Sequence, residues 1–78
     1  MKKTIYVAIA SRINADSFDL IATYDRAEAQ DAIERDIAHL TPTERTRYEH
    51  YIDERTVEVE DGESAKDAYK RLLLDDEW

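Results

Sequence analysis

The chain has 78 residues, with 19 Asp and Glu against 11 Lys and Arg, which gives a net charge of −8 and a pI near 4.6. A chain of this length forms one domain, 1–78, and is too small for a large pocketed enzyme. Its negative charge repels phosphate backbones, its lack of cysteine excludes disulfides and thiolate chemistry, and its apolar runs are too short to cross a bilayer. We therefore expect a soluble, cytoplasmic protein that does not bind nucleic acid directly.

Two strands are predicted first. Residues 4–12 carry apolar side chains on both alternating faces. This pattern is typical of a central strand that is covered on one face and partly covered on the other. Residues 18–24 alternate more strictly, with Phe18, Leu20, Ala22 and Tyr24 on one face. Together they predict a β-hairpin.

Two helix starts follow. Asp25 and Glu28 have the spacing of a capping box, and the apolar stripe behind them predicts a helix over about 26–40. Thr41, Pro42 and Glu44 form a second start signal, which predicts a short helix from Pro42 to about His50.

The last third of the chain predicts a strand and a helix. Residues 56–60 alternate strictly between polar and apolar side chains, and 52–55 can extend this strand, with Glu58 and Glu60 outward. A turn at 61–63 and a cap at Ser64 then introduce a helix to about residue 75. The order β-β-α-α-β-α predicts an α+β fold with a three-stranded antiparallel sheet and two to three helices packed mainly on one face. The position of the third strand in the sheet stays open.

Acidic residues are concentrated late in the chain. Residues 53–78 carry ten acidic and four basic side chains, which is −6 of the total of −8. Side chains on one face of a strand repeat at about the phosphate spacing of a nucleic acid, so a row of carboxylates suits a partner built to bind phosphates. The same pattern is also what a solvated edge strand needs. The candidate partner-binding residues are Asp53, Glu54, Glu58, Glu60, Asp61 and Glu63.

An aromatic group is a second candidate contact surface. Tyr48 and Tyr51 flank His50 and lie near two arginines, and Tyr and Arg are the residue types that anchor protein interfaces. The alternative is that these tyrosines only pack. Trp78 is expected to fold back on the sheet or to meet a second copy.

Catalytic signals are weak. His39 and His50 do not have metal-binding spacing, and a site at His50 with Asp53 or Glu54 would hold at most two ligands. The serines lack a nucleophile motif, and one glycine cannot build a phosphate-binding loop. We expect no enzyme activity, no metal and no cofactor. A small hydrolase or enzyme subunit stays as a third reading, for which a cleft holding a histidine beside a carboxylate would be the sign.

The layout resembles a group of small phage and mobile-element proteins. Ile5-Tyr6-Val7-Ala8 in a hairpin, residues 23–29 entering a helix, and the short Val57-Glu58-Val59-Glu60 strand are similar to the β-β-α-β core of several anti-CRISPR proteins. The resemblance covers most of the chain in layout only. It implies a non-catalytic inhibitor, acting in a bacterial host cell, that binds a Cas effector and blocks DNA with acidic residues in place of phosphates.

The sequence is therefore compatible with two functions. The first is an acidic interaction module that occludes the basic nucleic-acid-binding groove of a partner, such as a CRISPR-Cas effector. The second is a homodimeric structural or accessory protein, in which the sheet edge, Tyr48, Tyr51 and Trp78 form the interface and the acidity only solubilises.

Overall fold

Three strands and three helices follow one another in the expected order. They are β1 (Lys2–Arg12), β2 (Ser17–Thr23), α1 (Arg26–His39), α2 (Pro42–Arg45), β3 (Tyr48–Glu58) and α3 (Ala65–Asp76). The computed structural model describes residues 1–76 and the side chains of residues 1–74. The α+β class, the antiparallel sheet and the order β-β-α-α-β-α are confirmed.

The strand β1 lies in the centre of the sheet. The strand order is β2-β1-β3, and both neighbours run antiparallel to β1. The pairing with β2 has a register shift between Ala8 and Ile9, whereas the pairing with β3 is unbroken from Lys2 opposite Glu58 to Arg12 opposite Tyr48. The third strand therefore pairs with the first, and β2 and β3 form the two edges.

The helices cover opposite faces of this sheet. Ile5 and Val7 pack in one cluster with Ala65 and Ala68, the first two buried residues of α3. Ala8 lies on the other face, because successive strand residues point to opposite sides, and it packs with Ala29 and Ile33 of α1. The expectation that the helices pack mainly on one face is therefore wrong in this detail.

The helix starts lie where the capping residues predicted them. An Oδ of Asp25 accepts from the Ala27 N–H at 2.9 Å. Thr41 and Glu44 form a reciprocal capping box, with hydrogen bonds of 3.2 and 3.0 Å. Glu28 departs from the expected pattern, because its carboxylate accepts from the Thr23 hydroxyl instead of reaching back to the cap.

The boundary between α2 and β3 was predicted wrongly. The helix was expected to reach about His50, but α2 ends at Arg45 and the strand begins at Tyr48. Pairing with β1 explains the difference, since residues 48–58 lie along the whole length of the central strand and the odd-numbered ones hydrogen-bond to it. The strand also ends at Glu58 and not at residue 60.

Two further expectations concern membrane crossing and the contact of Trp78. Among residues 1–76, no helix combines the length and apolar character needed to cross a membrane. The expected contact of Trp78 lies outside the described residues.

The burial of β1 predicts which substitutions destabilise the fold. The Ile5 side chain is 0% exposed and Ile13 is 53% exposed. We expect Ile5→Ala to lower the free energy of unfolding by about 3 kcal/mol, because it leaves a cavity under α3. The matched variant Ile13→Ala should change it by less than about 0.5 kcal/mol. Urea unfolding followed by circular dichroism measures both, and equal losses would contradict this account of the core.

Candidate functional site

The first two predicted acidic residues lie on opposite faces of the sheet. Asp53 and Glu54 are neighbours in β3, so one side chain lies on the α3 side and the other on the α1 side. Each is paired with an arginine: Asp53 bonds Arg55 Nε at 3.1 Å, and Glu54 bonds Arg26 at 2.5 Å. These two carboxylates therefore do not form one continuous surface.

Two more of the predicted carboxylates bind cations. Glu58 accepts from the amino group of Met1 at 2.7 Å. Glu63 receives two hydrogen bonds from the Arg71 guanidinium, at 2.7 and 3.1 Å, and accepts a third from the Glu60 N–H. The Arg71 hydrogen bonds, followed by that backbone bond, lower the pKa of Glu63 below its ordinary value. Glu63 thus holds the turn against α3.

Glu60 and Asp61 are the remaining members of the predicted acidic surface. Both are exposed in the turn after β3, and neither carboxylate makes an ion pair with another described residue. The structure therefore reduces the predicted row of six carboxylates to two uncompensated ones at the turn.

The predicted tyrosine pair is also divided between the faces. Tyr48 is half-buried, and its ring centroid lies 6.4 Å from that of His50, which is two residues further along the strand. Tyr51 points to the opposite face and is 46% exposed. The two tyrosines do not form one hot spot.

His50 has a partner that the sequence did not indicate. Its Nε2 lies 2.7 Å from a carboxylate oxygen of Asp36 in α1, and the histidine side chain is only 8% exposed. The pairs considered from the sequence, with Asp53 or Glu54, are not formed. Across residues 1–76, no group of three or more potential ligands is placed to hold a metal ion. This side-chain hydrogen bond fastens β3 to α1.

The outer edge of β3 is not covered by the side-chain contacts described above. At the two ends of the pairing, the Val59 N–H donates to the Met1 carbonyl and the Ile13 N–H donates to the Arg47 carbonyl, each at 2.8 Å. These two bonds continue the residue pairing that joins β3 to β1, and both fall on odd-numbered residues that flank β3. Because hydrogen-bonded pairs alternate along an antiparallel ladder, the odd-numbered residues of β3 bond to β1. The N–H and C=O groups of the even-numbered residues therefore point away from the sheet.

A side chain occupies one end of this edge, and the remaining outward groups extend along residues 48–56. The outward carbonyl of Glu58 accepts from Arg71 at 3.0 Å. Within residues 1–76, no fourth strand pairs with the remainder, 48–56, because the sheet has three strands with β3 at its border. We call residues 48–56 the open edge.

Comparison with known proteins finds no matching family model, no matching curated protein and no matching solved structure. A function for this chain therefore rests on the geometry of its surface.

The Glu63 ion pair predicts a pH-dependent contribution to stability. Because the pKa of Glu63 is lowered in the folded state, its stabilising effect is complete above the ordinary value of 4.5 and is lost as the pH falls through the lowered pKa. We expect Glu63→Gln to lower the melting temperature at pH 7, with a difference that narrows below about pH 4.5. Glu60→Gln is the control and should change little at either pH. A Glu63→Gln deficit that is as large at pH 3 as at pH 7 would contradict this role.

Proposed function

We propose that this chain is a non-enzymatic protein-interaction module that binds through the open edge of β3. The observation that supports this most directly is the row of outward backbone groups along residues 48–56 of the border strand β3. Such a row is a template for another strand, because main-chain hydrogen bonds can form along it without side-chain rearrangement.

The two borders of the sheet differ in how they are protected. The β2 border has a register shift at its centre and both α1 and α3 alongside it. The open edge has neither a bulge nor a proline, and α1 lies mainly over β1 and β2. Natural proteins usually block an exposed border strand with such devices, so a regular one favours use as a contact surface.

The side chains beside the open edge also suit an interface. Tyr51 is 46% exposed and lies on the same face as Asp53 and Arg55, which bond to each other at 3.1 Å. Tyr and Arg are among the residue types enriched at the energetic centre of protein contacts.

An added strand should be detectable directly. The probe is a nine-residue uncharged peptide of alternating threonine and valine, titrated against the ¹⁵N-labelled protein. We expect chemical-shift changes at the amides of Ile52, Glu54 and Thr56, which point outward, and little change in β2. Glu54→Pro should abolish these shifts because it removes an outward N–H but no bond to β1.

Glu54→Gln is the matched control, since it removes the same carboxylate and keeps the N–H. It should bind the peptide as the wild type does. Shifts confined to β2, or peptide binding that survives Glu54→Pro in a folded protein, would contradict the proposal.

A second function is favoured by Glu60 and Asp61. These two carboxylates stay uncompensated in the turn after β3, in a chain of net charge −8. They would contact lysines and arginines in the nucleic-acid-binding groove of a partner and occlude it, as the anti-CRISPR resemblance implies for a Cas effector. Such binding would be steered electrostatically and would weaken as the ionic strength rises.

Charge reversal tests this second function. Glu60→Lys with Asp61→Lys should weaken inhibition of DNA binding by a purified Cas effector at least about tenfold, because two attractive contacts become repulsive. The control is Asp16→Lys with Glu34→Lys, which changes the net charge equally at exposed sites elsewhere. Equal loss in both double variants, or no inhibition by the wild type in low salt, would count against occlusion through this turn.

A further inference from the structure

We infer that the partner of the open edge is a second copy of this chain, paired antiparallel with Ile52 on the two-fold axis. This inference rests on the proposed function, namely that the open edge binds, and it adds the identity of the partner and the register. The result would be a continuous six-stranded sheet with both β3 strands at its centre.

Symmetry leaves only a few registers to compare. In a two-fold antiparallel pair of identical strands, one residue lies on the axis, and residues equidistant from it face each other on the same side of the sheet. The identity of the axial residue therefore fixes every cross-strand contact, so charge and the length of strand that is paired decide among the possibilities. An axis at His50 would place Glu54 and Thr56 opposite Thr46 and Glu44, which precede the start of β3 at Tyr48, so it pairs a shorter stretch than an axis at Ile52.

The registers next to Ile52 each oppose like charges. An axis at Tyr51 places Glu49 opposite Asp53, and does so twice. Axes at Asp53, Glu54 and Arg55 place each of these charged residues opposite its own copy. Like charges directly opposite one another are destabilising.

An axis at Ile52 opposes complementary groups throughout. On the α3 side of the sheet, Glu49 faces Arg55 of the second copy, and Tyr51 faces Asp53. On the α1 side, His50 faces Glu54, and the two Ile52 side chains meet at the axis. Each contact occurs twice except the central one, and none opposes like charges.

The contacts within one chain are compatible with this register. Pairing of residues 48–56 stops short of Glu58, whose carbonyl is already bound by Arg71. Arg55 is held by Asp53 on the face where it would meet Glu49 of the second copy. The even-numbered residues would supply about ten backbone hydrogen bonds, with the pair at Ile52 bonded directly across the axis.

Cysteine cross-linking reads the register directly, because the chain has no cysteine of its own. Tyr51 and Asp53 of the second copy would form a non-hydrogen-bonded pair, with Cα atoms about 4.5 Å apart, which is within disulfide range. We expect Tyr51→Cys mixed with Asp53→Cys to form a covalent dimer under mild oxidation. Glu49→Cys mixed with Asp53→Cys is the control and should not, since these residues face each other only with Tyr51 on the axis.

A charge swap gives an independent readout. Glu49→Arg should weaken the dimer about tenfold in sedimentation equilibrium, because two attractive pairs become repulsive. Adding Arg55→Glu to the same chain should restore most of the affinity. A double variant that is weaker than the single one would overturn the register.

The outcomes separate this inference from the function on which it rests. A dimer that cross-links only through the control pair overturns the Ile52 register and leaves the open edge as the contact surface. A monomer at 100 µM overturns the second copy as partner, while binding of the threonine-valine peptide still decides whether the edge binds. If the protein stays monomeric and also fails to bind the threonine-valine peptide, the proposed function is overturned as well.

Discussion

Burial of β1 on both faces is the constraint from which the rest of the structure follows. Ile5, Val7 and Ala8 are fully buried although they belong to one strand, so each face of the sheet requires its own helix. Because β1 also hydrogen-bonds on both sides, it must be the central strand, and β2 and β3 must be borders. A three-stranded sheet built around its first strand therefore leaves two backbone edges for the protein to protect or to use.

The distribution of charge fits this arrangement better than it fits a single acidic surface. Several of the carboxylates are occupied with internal tasks: Glu54 links β3 to α1, Glu63 links the turn to α3, and Asp36 holds His50. Ion pairs as exposed as Arg26 with Glu54 contribute little stability individually, but they fix the side chains that flank β3. The residual negative charge opposes indiscriminate stacking of strands between copies.

Local signals in the sequence predicted most of the fold. The two apolar faces of β1 and the caps at Asp25 and Thr41 located three elements, because strand alternation and capping depend on neighbouring residues. A strand that is apolar on both faces needs cover on both faces, which is why α1 and α3 lie on opposite sides of the sheet. The start of β3 at Tyr48 could not be read locally, since it is pairing with β1 that ends after Arg45 the helix begun at Pro42. The partners of Glu54 and Glu63 lie on other elements, so only the folded chain brings Arg26 and Arg71 to them.

Hydrogen exchange of the β3 amides, measured by NMR at increasing protein concentration, tests the central claim most directly. At low concentration the account predicts alternation, with slow exchange at Tyr51, Asp53 and Arg55 and fast exchange at Ile52 and Glu54. At high concentration Ile52 and Glu54 should become protected while the amides of β2 do not change. Exchange that fails to alternate along β3, or outward amides that stay unprotected at every concentration, would contradict the claim that this edge is open and binds a second strand.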